Sequence, residues 1–427
     1  MGENRFGIKN CGLNEWVITF ESNKAKDQEP WEKHSIYILP RGYVDPKRSQ
    51  AYKPQIVSFG PYHHGHDELR PMEEHKHRAL HHFLARTRKP LHLYAAALEQ
   101  EAQKLMDSYK DLDQGWKDLG RFLPLMILDG CFMRELLRTS EGDFTESDYS
   151  FHDPIFSKHA IISIMPRIRR DMLMIENQIP LLVLKTLLTN VDQVVNELVL
   201  GFYSIRAPEP VEGLGLHVLD VVRKSMVVHR PNRVRQIIPP GSTMDVIWPA
   251  TELEEAGISF ETSRSNSLTD IDFKNGILWL PQIIIDDATE SKFLNMIALE
   301  HLHMGSENEV SSYVAFMDNM IDTDKDVKLL AKSMIIKNFV GTDQAVADLF
   351  NGLAHDASIH PDSHLSSVHH QVTAYCENEW NKYLAYLRHN YFKNPWSFIS
   401  FLAGILAVCL SITSFIYATV NFIERHR

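Results

Sequence analysis

The chain has 427 residues, of which 44% are hydrophobic and 23% are charged, a globular composition that excludes extended disorder. Its formal net charge of −11 argues against nucleic-acid binding, because proteins that bind phosphate backbones concentrate positive charge. The four cysteines, Cys11, Cys131, Cys376 and Cys409, form no CxxC pair. They predict neither a disulfide framework nor a zinc ribbon, and they suit a reducing compartment.

The N-terminal residues 1–35 are weakly patterned and are predicted to form a variable arm with one short element at 16–20. No signal peptide is expected, because Glu3, Arg5 and Lys9 interrupt any apolar run. The chain also contains no Asn-x-Ser/Thr glycosylation site. Both observations favour a body in the cytosol.

Residues 36–390 are predicted to form a mostly helical body with a small, partly antiparallel β-sheet, so the fold class is mainly α. The apolar runs 36–39 and 55–59 predict a short strand and an extended segment. Asn275-Gly276 between two apolar runs predicts a β-hairpin, and Pro281 places its second strand at an edge or a bulge. Helical periodicity begins at Met72 and predicts further helices over 91–112, 119–137, 154–175, 181–200, 216–227, 250–257 and 377–391.

From Pro395 to Ile423 the chain carries no charged side chain. Its core, residues 398–420, would form a helix of roughly 35 Å, enough to cross a hydrocarbon layer of roughly 30 Å. Trp396 lies near one end, where aromatic rings favour the membrane interface. The sequence therefore predicts a transmembrane helix, preceded by an interfacial linker (391–397) and followed by a short polar tail (421–427).

The position of this span predicts a single-pass tail anchor with the body in the cytoplasm. The flanking positive charge is similar on the two sides, so an outward-facing body stays open. The sequence selects neither the plasma membrane nor an endomembrane.

Small residues recur along the predicted span at steps of four, three, four, three and four. This spacing places them in one stripe, where two helices could pack closely. Spanning helices are commonly rich in Ala, Ser and Gly, so such a stripe also arises by chance. Self- or hetero-association through the span is a hypothesis that rests on Ser400, Gly404, Ala407, Ser411, Ser414 and Ala418.

Histidines and carboxylates are dense between residues 61 and 82. On a helix Glu73, His77 and His81 fall at i, i+4 and i+8, and with His63 and His64 they could bind zinc or another divalent ion. The His-Glu-x-x-His signature is absent, and histidines on a solvent-exposed helix face explain the same residues. A metal-dependent enzyme is therefore the alternative hypothesis. The preferred hypothesis is a non-enzymatic recognition or scaffold protein, for which no cofactor is expected.

Other catalytic patterns are weak. Asp270 and Asp272 resemble the metal-binding carboxylates of some glycosyl-transferring enzymes, but their place beside the predicted hairpin favours strand-end polarity. The chain lacks a Gly-x-Ser-x-Gly elbow, a Gly-x4-Gly-Lys phosphate loop and a Gly-x-Gly-x-x-Gly fingerprint. Asp129 and Glu176 adjoin apolar runs and are expected to hold backbone donors or cap helices. No catalytic residue is predicted.

A series of motifs occurs in a fixed order from about Ile36 to the C-terminus. As a set they resemble the plant-specific domain-of-unknown-function-247 proteins, also called uncharacterised protein family 0481. The matching stretches are Ala51-Tyr-x-Pro-Gln-Ile-Val-Ser58, Gly60-Pro-Tyr-His-His-Gly65, Met72-Glu-x-x-Lys76, Asp129-Gly-Cys-Phe132, Glu176-Asn-Gln-Ile-Pro180, Ala250-Thr-Glu-Leu253, Glu255-Ala-Gly257, Asn275-Gly276, Pro281 and Asn394-Pro-Trp396.

This resemblance implies a plant membrane protein with one C-terminal span and no established enzymatic activity. Some members of the family are implicated in pollen–stigma recognition in grasses, and others in growth or stress responses. The resemblance implies no catalytic or ligand-binding residue. We therefore expect a non-enzymatic recognition or scaffold protein that acts through an unidentified protein partner, with surface loops at 140–153 and 203–215.

Overall fold

The computed structural model describes residues 33–140, 149–189, 191–227, 248–359, 363–381, 383 and 395–425. The described chain is mainly helical with two small sheets, which confirms the predicted fold class. The predicted element at 16–20 lies outside the described residues. The helices are α1 (Pro71–Thr87), α2 (Leu91–Gln100), α3 (Ala102–Asp107), α4 (Leu119–Arg138), α5 (Lys158–Ser163), α6 (Met165–Asp171), α7 (Leu181–Leu188), α8 (Asp192–Phe202), α9 (Val218–Met226), α10 (Ala250–Glu255), α11 (Thr289–Leu302), α12 (Glu309–Met320), α13 (Asp324–Lys332), α14 (Asp343–Leu353), α15 (His364–Glu377) and α16 (Pro395–Arg425).

Helix α4 lies at the centre of the N-terminal half of the body. The Asp118 side chain accepts a hydrogen bond from the Gly120 N–H and so caps the first turn. Apolar residues follow on nearly every face, which is typical of a helix that is buried all round. Helices α1, α2, α7 and α8 pack around it.

A buried ion pair joins helices of the C-terminal half. Arg223 on α9 lies with its Nε 2.9 Å from the Glu300 Oε1 on α11. The same carboxylate accepts the Val310 and Ser311 N–H groups in the first turn of α12. One carboxylate therefore fixes three helices and satisfies the orphan donors of a helix N-terminus.

The strands are β1 (Ser259–Thr262), β2 (Asp272–Lys274), β3 (Ile277–Leu280), β4 (Ile283–Ile285) and β5 (Ile336–Asn338). Strand β3 pairs with β2 in antiparallel and with β1 in parallel register. The predicted hairpin is present, and Asn275 and Gly276 both adopt positive φ angles (53° and 77°) as a two-residue turn requires. Pro281 ends β3, and the chain then enters a second sheet, in which β4 pairs in parallel with β5.

Several predicted elements are divided or absent. The helices expected over 91–112, 154–175 and 181–200 are each two shorter helices, and Thr189 after α7 adopts a left-handed conformation. The apolar pattern continues across each break because both pieces face the same core. The strand predicted at 36–39 is wrong: Ile36 makes only an isolated bridge with Tyr109.

Candidate functional site

Residues 55–60, which are buried from Val57 onward, are called here the buried segment. They lie outside any regular strand, so their backbone groups need partners elsewhere. The Asp171 carboxylate at the end of α6 accepts the N–H groups of Gln55, Ile56 and Val57 at 2.9, 2.7 and 3.1 Å. Burial raises the pKa of Asp171, and the three N–H donors oppose this effect. One carboxylate thus pairs three backbone N–H groups that a neighbouring β-strand would otherwise pair.

The amide of Asn177 holds the next part of the buried segment. Its Oδ1 accepts the Phe59 N–H at 2.7 Å, and its Nδ2 donates to the Val57 carbonyl at 3.0 Å. The Asp129 Oδ2 on α4 accepts the Gly60 N–H at 2.8 Å. The buried segment is therefore paired with side chains along its whole length.

Lys76 is a fully buried lysine on α1 that joins this network. Its Nζ lies 2.7 Å from the Asp129 Oδ1 and 2.8 Å from the Glu73 Oε1. It also donates to the Ser58 carbonyl at 2.6 Å and lies 5.7 Å from the centre of the Phe59 ring. Burial raises the pKa of Asp129, and the adjacent ammonium opposes that rise.

The pairing of Lys76 with Ser58 does not form a nucleophile and its base. The Ser58 hydroxyl lies 3.3 Å from the lysine Nζ, but both residues are buried. Glu73, Asp129 and the Ser58 carbonyl occupy the three donors of the ammonium, so no lone pair is directed at the hydroxyl. Lys76 therefore does not act as a base toward Ser58, whose hydroxyl donates to the Glu73 Oε1 at 3.4 Å.

Gly60 adopts a left-handed conformation (φ +73°) where the buried segment turns. A Cβ atom there would lie 2.5 Å from the Gln178 carbonyl oxygen and 2.9 Å from the Tyr109 hydroxyl. The tyrosine hydroxyl in turn donates to the same carbonyl at 3.0 Å. Both the backbone angle and the available space therefore require glycine.

The motifs at 51–58, 60–65, 72–76, 129–132 and 176–180 thus meet in one buried network. The expectation that Asp129 holds backbone donors agrees with its contact to Gly60. Sequence reasoning missed the role of Lys76, although a signal was present. Lys76 shares the buried face of α1 with Met72, Ala79 and Phe83, and a lysine in an apolar stripe indicates a buried partner.

The histidines at 63 and 64 have separate neighbours. His63 lies with its Nε2 3.2 Å from the Glu176 Oε2, and the other oxygen of this carboxylate accepts the Leu39 N–H at 2.7 Å. The His64 ring contacts the edge of Trp116, with ring centres 5.5 Å apart. These two histidines therefore face different partners.

The other proposed metal ligands lie on α1. Glu73 is half-buried and directed at Lys76, whereas His77 and His81 are exposed. Within the ranges that the structure describes, no group of three His, Cys, Asp or Glu side chains is placed to hold a metal ion. The five residues named for a metal site are thus not brought together there.

The paired aspartates at 270 and 272 also have local roles. The Asp270 Oδ2 accepts the N–H and the hydroxyl of Ser265, at 3.0 and 2.7 Å, and so closes the loop before β2. Asp272 is exposed on β2 and accepts the Phe273 N–H through its Oδ1. These contacts agree with the expectation that the two aspartates are polar residues beside the hairpin.

Strands β4 and β5 together with Met334 and Phe339, which flank β5, are called here the ribbon, and they carry apolar side chains on the surface. Ile283 and Ile285 are buried, and Ile284 between them is 56% exposed, as alternation along a strand requires. Met334 and Phe339, on either side of β5, are 57% and 72% exposed. The parallel register sets Ile284 opposite Lys337, two positions before Phe339. Exposed apolar side chains on one surface are typical of protein–protein contacts.

Helix α16 is the second exposed apolar feature. Its residues Phe398–Ile423 have a mean hydropathy of 2.3, and none of the apolar window is buried against the body. Among the described residues this is the one helix that is long and apolar enough to cross a membrane. The predicted stripe, Ser400 to Ala418, falls within about 80° of arc at 3.6 residues per turn.

Replacing Gly404 and Ala407 together by leucine is expected to abolish association through the span in a membrane two-hybrid assay. The added side chains would separate two helices that approach through small residues. Cys409→Leu, on the opposite side of the helix, is the control and should leave association unchanged. Unchanged association of the Gly404/Ala407 variant would exclude the stripe as its cause.

Comparison with known proteins places this chain in a family. The chain is 28% identical over 432 residues to the UPF0481 protein At3g47200 of Arabidopsis thaliana, which covers 92% of this chain and 88% of that protein. A second Arabidopsis thaliana UPF0481 protein, At3g02645, is 24% identical over 174 residues, or 40% of this chain and 33% of that protein. No solved structure matches the chain. Residues 36–410 match the DUF247 family, and the chain therefore belongs to this family of plant proteins of unknown function.

Proposed function

We propose that this chain is a membrane-anchored, non-enzymatic recognition or scaffold protein whose body binds another protein. Helix α16 carries the proposal, because its unburied apolar stretch of 26 residues has a stable environment in a lipid bilayer. The same proposal places the body in the cytoplasm and makes α16 a single C-terminal anchor.

The motif residues support the recognition role. Asp171, Asn177, Asp129 and Lys76 direct their polar atoms at the backbone or at each other. These residues therefore stabilise the body. The contact with a partner is made by other residues, which are exposed on its surface. The ribbon is the surface that we assign to this contact, because Ile284, Met334 and Phe339 expose apolar area there.

The test is proximity labelling with the full-length chain in plant cells. Changing Ile284 and Phe339 together to aspartate should reduce labelling of protein partners at least about tenfold, because a buried unpaired charge costs several kcal/mol. The control changes Phe151 and Ile162 to aspartate, since both are exposed apolar residues outside the ribbon. It should keep the wild-type partners.

Each variant is compared at equal abundance in carbonate-washed membranes, so that loss of folding or anchoring is not read as loss of binding. Two results would contradict the proposal. One is a wild-type chain that labels no protein above background. The other is a ribbon variant that labels the same proteins as the wild type.

A further inference from the structure

Two large aromatic side chains are exposed at the end of the body. Trp380 is 77% and Tyr383 is 63% exposed, and they lie three and six residues after the end of α15. Exposing most of an indole and of a phenol ring to water forgoes substantial burial energy. Because the two residues precede α16 by at most 15 positions, the membrane is a candidate for the surface that covers their rings.

Residues 379–381 and 383, which carry these rings, are helical, and the helix is hydrogen-bonded to the end of α15. Tyr375 on α15 packs edge-on against Phe273, with ring centres 5.5 Å apart. The Asn381 Nδ2 donates to the Tyr375 carbonyl at 3.0 Å, and the Trp380 N–H donates to the Asn378 Oδ1 at 2.9 Å. The indole is therefore presented from a fixed point on the body.

The length of chain to the span limits where this point can lie. Only about 15 residues separate Tyr383 from Phe398, so the connection reaches at most about 50 Å fully extended and about 22 Å as a helix. If α16 crosses a bilayer, as proposed above, Tyr383 lies within about 50 Å of the bilayer surface, close enough for the end of the body to reach it. The inference below rests on that anchor.

The intervening sequence has the chemistry of a bilayer interface. Lys382, Arg388 and Lys393 lie between Trp380 and Trp396, and no Asp or Glu is present there, although the whole chain has a net charge of −11. Tryptophan and tyrosine prefer the headgroup region, and cations next to a span are attracted by anionic headgroups. Both properties select a lipid surface over an apolar protein groove.

We infer that Trp380 and Tyr383 insert into the headgroup region of an anionic lipid bilayer and hold the body against the membrane. The body then has a second membrane contact besides α16. This contact restricts rotation of the body about α16. It therefore fixes which face of the body is turned away from the membrane.

The full-length chain in vesicles with lipids brominated near the headgroups tests this inference. Bromine quenches tryptophan emission at short range, so the loss of quenching in Trp380→Phe reports the position of that indole. We expect this variant to lose about half of the wild-type quenching, because Trp380 and Trp396 are the two tryptophans assigned to the interface. Trp248→Phe removes an exposed indole elsewhere on the body and should leave the quenching unchanged.

Flotation of the vesicles separates this inference from the anchor. If the chain floats and Trp380→Phe is quenched as strongly as the wild type, the anchor stands and the surface contact is wrong. A chain that does not float overturns both. The Trp380-dependent quenching should also be smaller in neutral than in anionic vesicles, and equal quenching would overturn the role of headgroup charge.

Discussion

Asp129→Ala is expected to lower the free energy of unfolding by about 3–5 kcal/mol, the usual cost of removing one partner of a buried ion pair. The change leaves the Lys76 ammonium buried with one carboxylate fewer, and it leaves the Gly60 N–H without an acceptor. Denaturant unfolding of the full-length chain in detergent micelles, followed by tryptophan emission, measures this loss.

The matched control is the exposed ion pair between Lys104 and Glu101, in which the charged atoms are also 2.7 Å apart. Glu101→Ala should cost no more than about 1 kcal/mol, because water screens and solvates exposed charges. Changing Lys76 to methionine together with Asp129→Ala should cost less than the sum of the single changes, since the orphaned charge is then removed. A cost below about 1 kcal/mol for Asp129→Ala would contradict the role assigned to the network.

Gly60→Ala and Gly65→Ala are expected to differ strongly, although both glycines have positive φ angles of 73° and 85°. At Gly65 a Cβ would meet nothing within 4 Å, so alanine should cost only about 1–2 kcal/mol of backbone strain. At Gly60 the Cβ would lie 2.5 Å from the Gln178 carbonyl oxygen, and displacing that backbone should add about 1–3 kcal/mol.

Thermal unfolding of the two variants beside the wild type measures this difference directly. The glycine at 65 serves as the control for conformational strain, so the excess at 60 reports the packing of the buried segment against residue 178. Equal destabilisation of the two variants would show that the close approach at Gly60 does not restrict the folded state.

The sequence predicted those helices and turns that are determined by residues close together along the chain. Helices α1 and α4 begin within one residue of their predicted starts, because apolar periodicity and Asp118 define them. The turn at Asn275-Gly276 was predictable because few other dipeptides adopt positive φ twice. Strand β1 was missed because it has four residues and pairs in parallel with β3, from which it is separated by a loop and by β2, so no turn signal joins the two strands.

The buried network could not be predicted from one sequence, because its partners are far apart along the chain. Asn177 and Val57 are separated by 120 positions, and Asp129 and Gly60 by 69. No periodicity connects residues at such distances. The motif series identified which residues matter, and the structure supplies the reason that they occur together.

The buried segment also has a consequence for synthesis on the ribosome. The N–H groups of residues 55–57 and 59 find their acceptors only after Asp171 and Asn177 have been made, up to 118 residues later. At roughly 5–20 residues per second, the nascent chain holds these donors unpaired for about 6–24 s. During that interval the segment is open to chaperones and proteases, so a ribosome pause before Asn177 should lower the yield of folded protein.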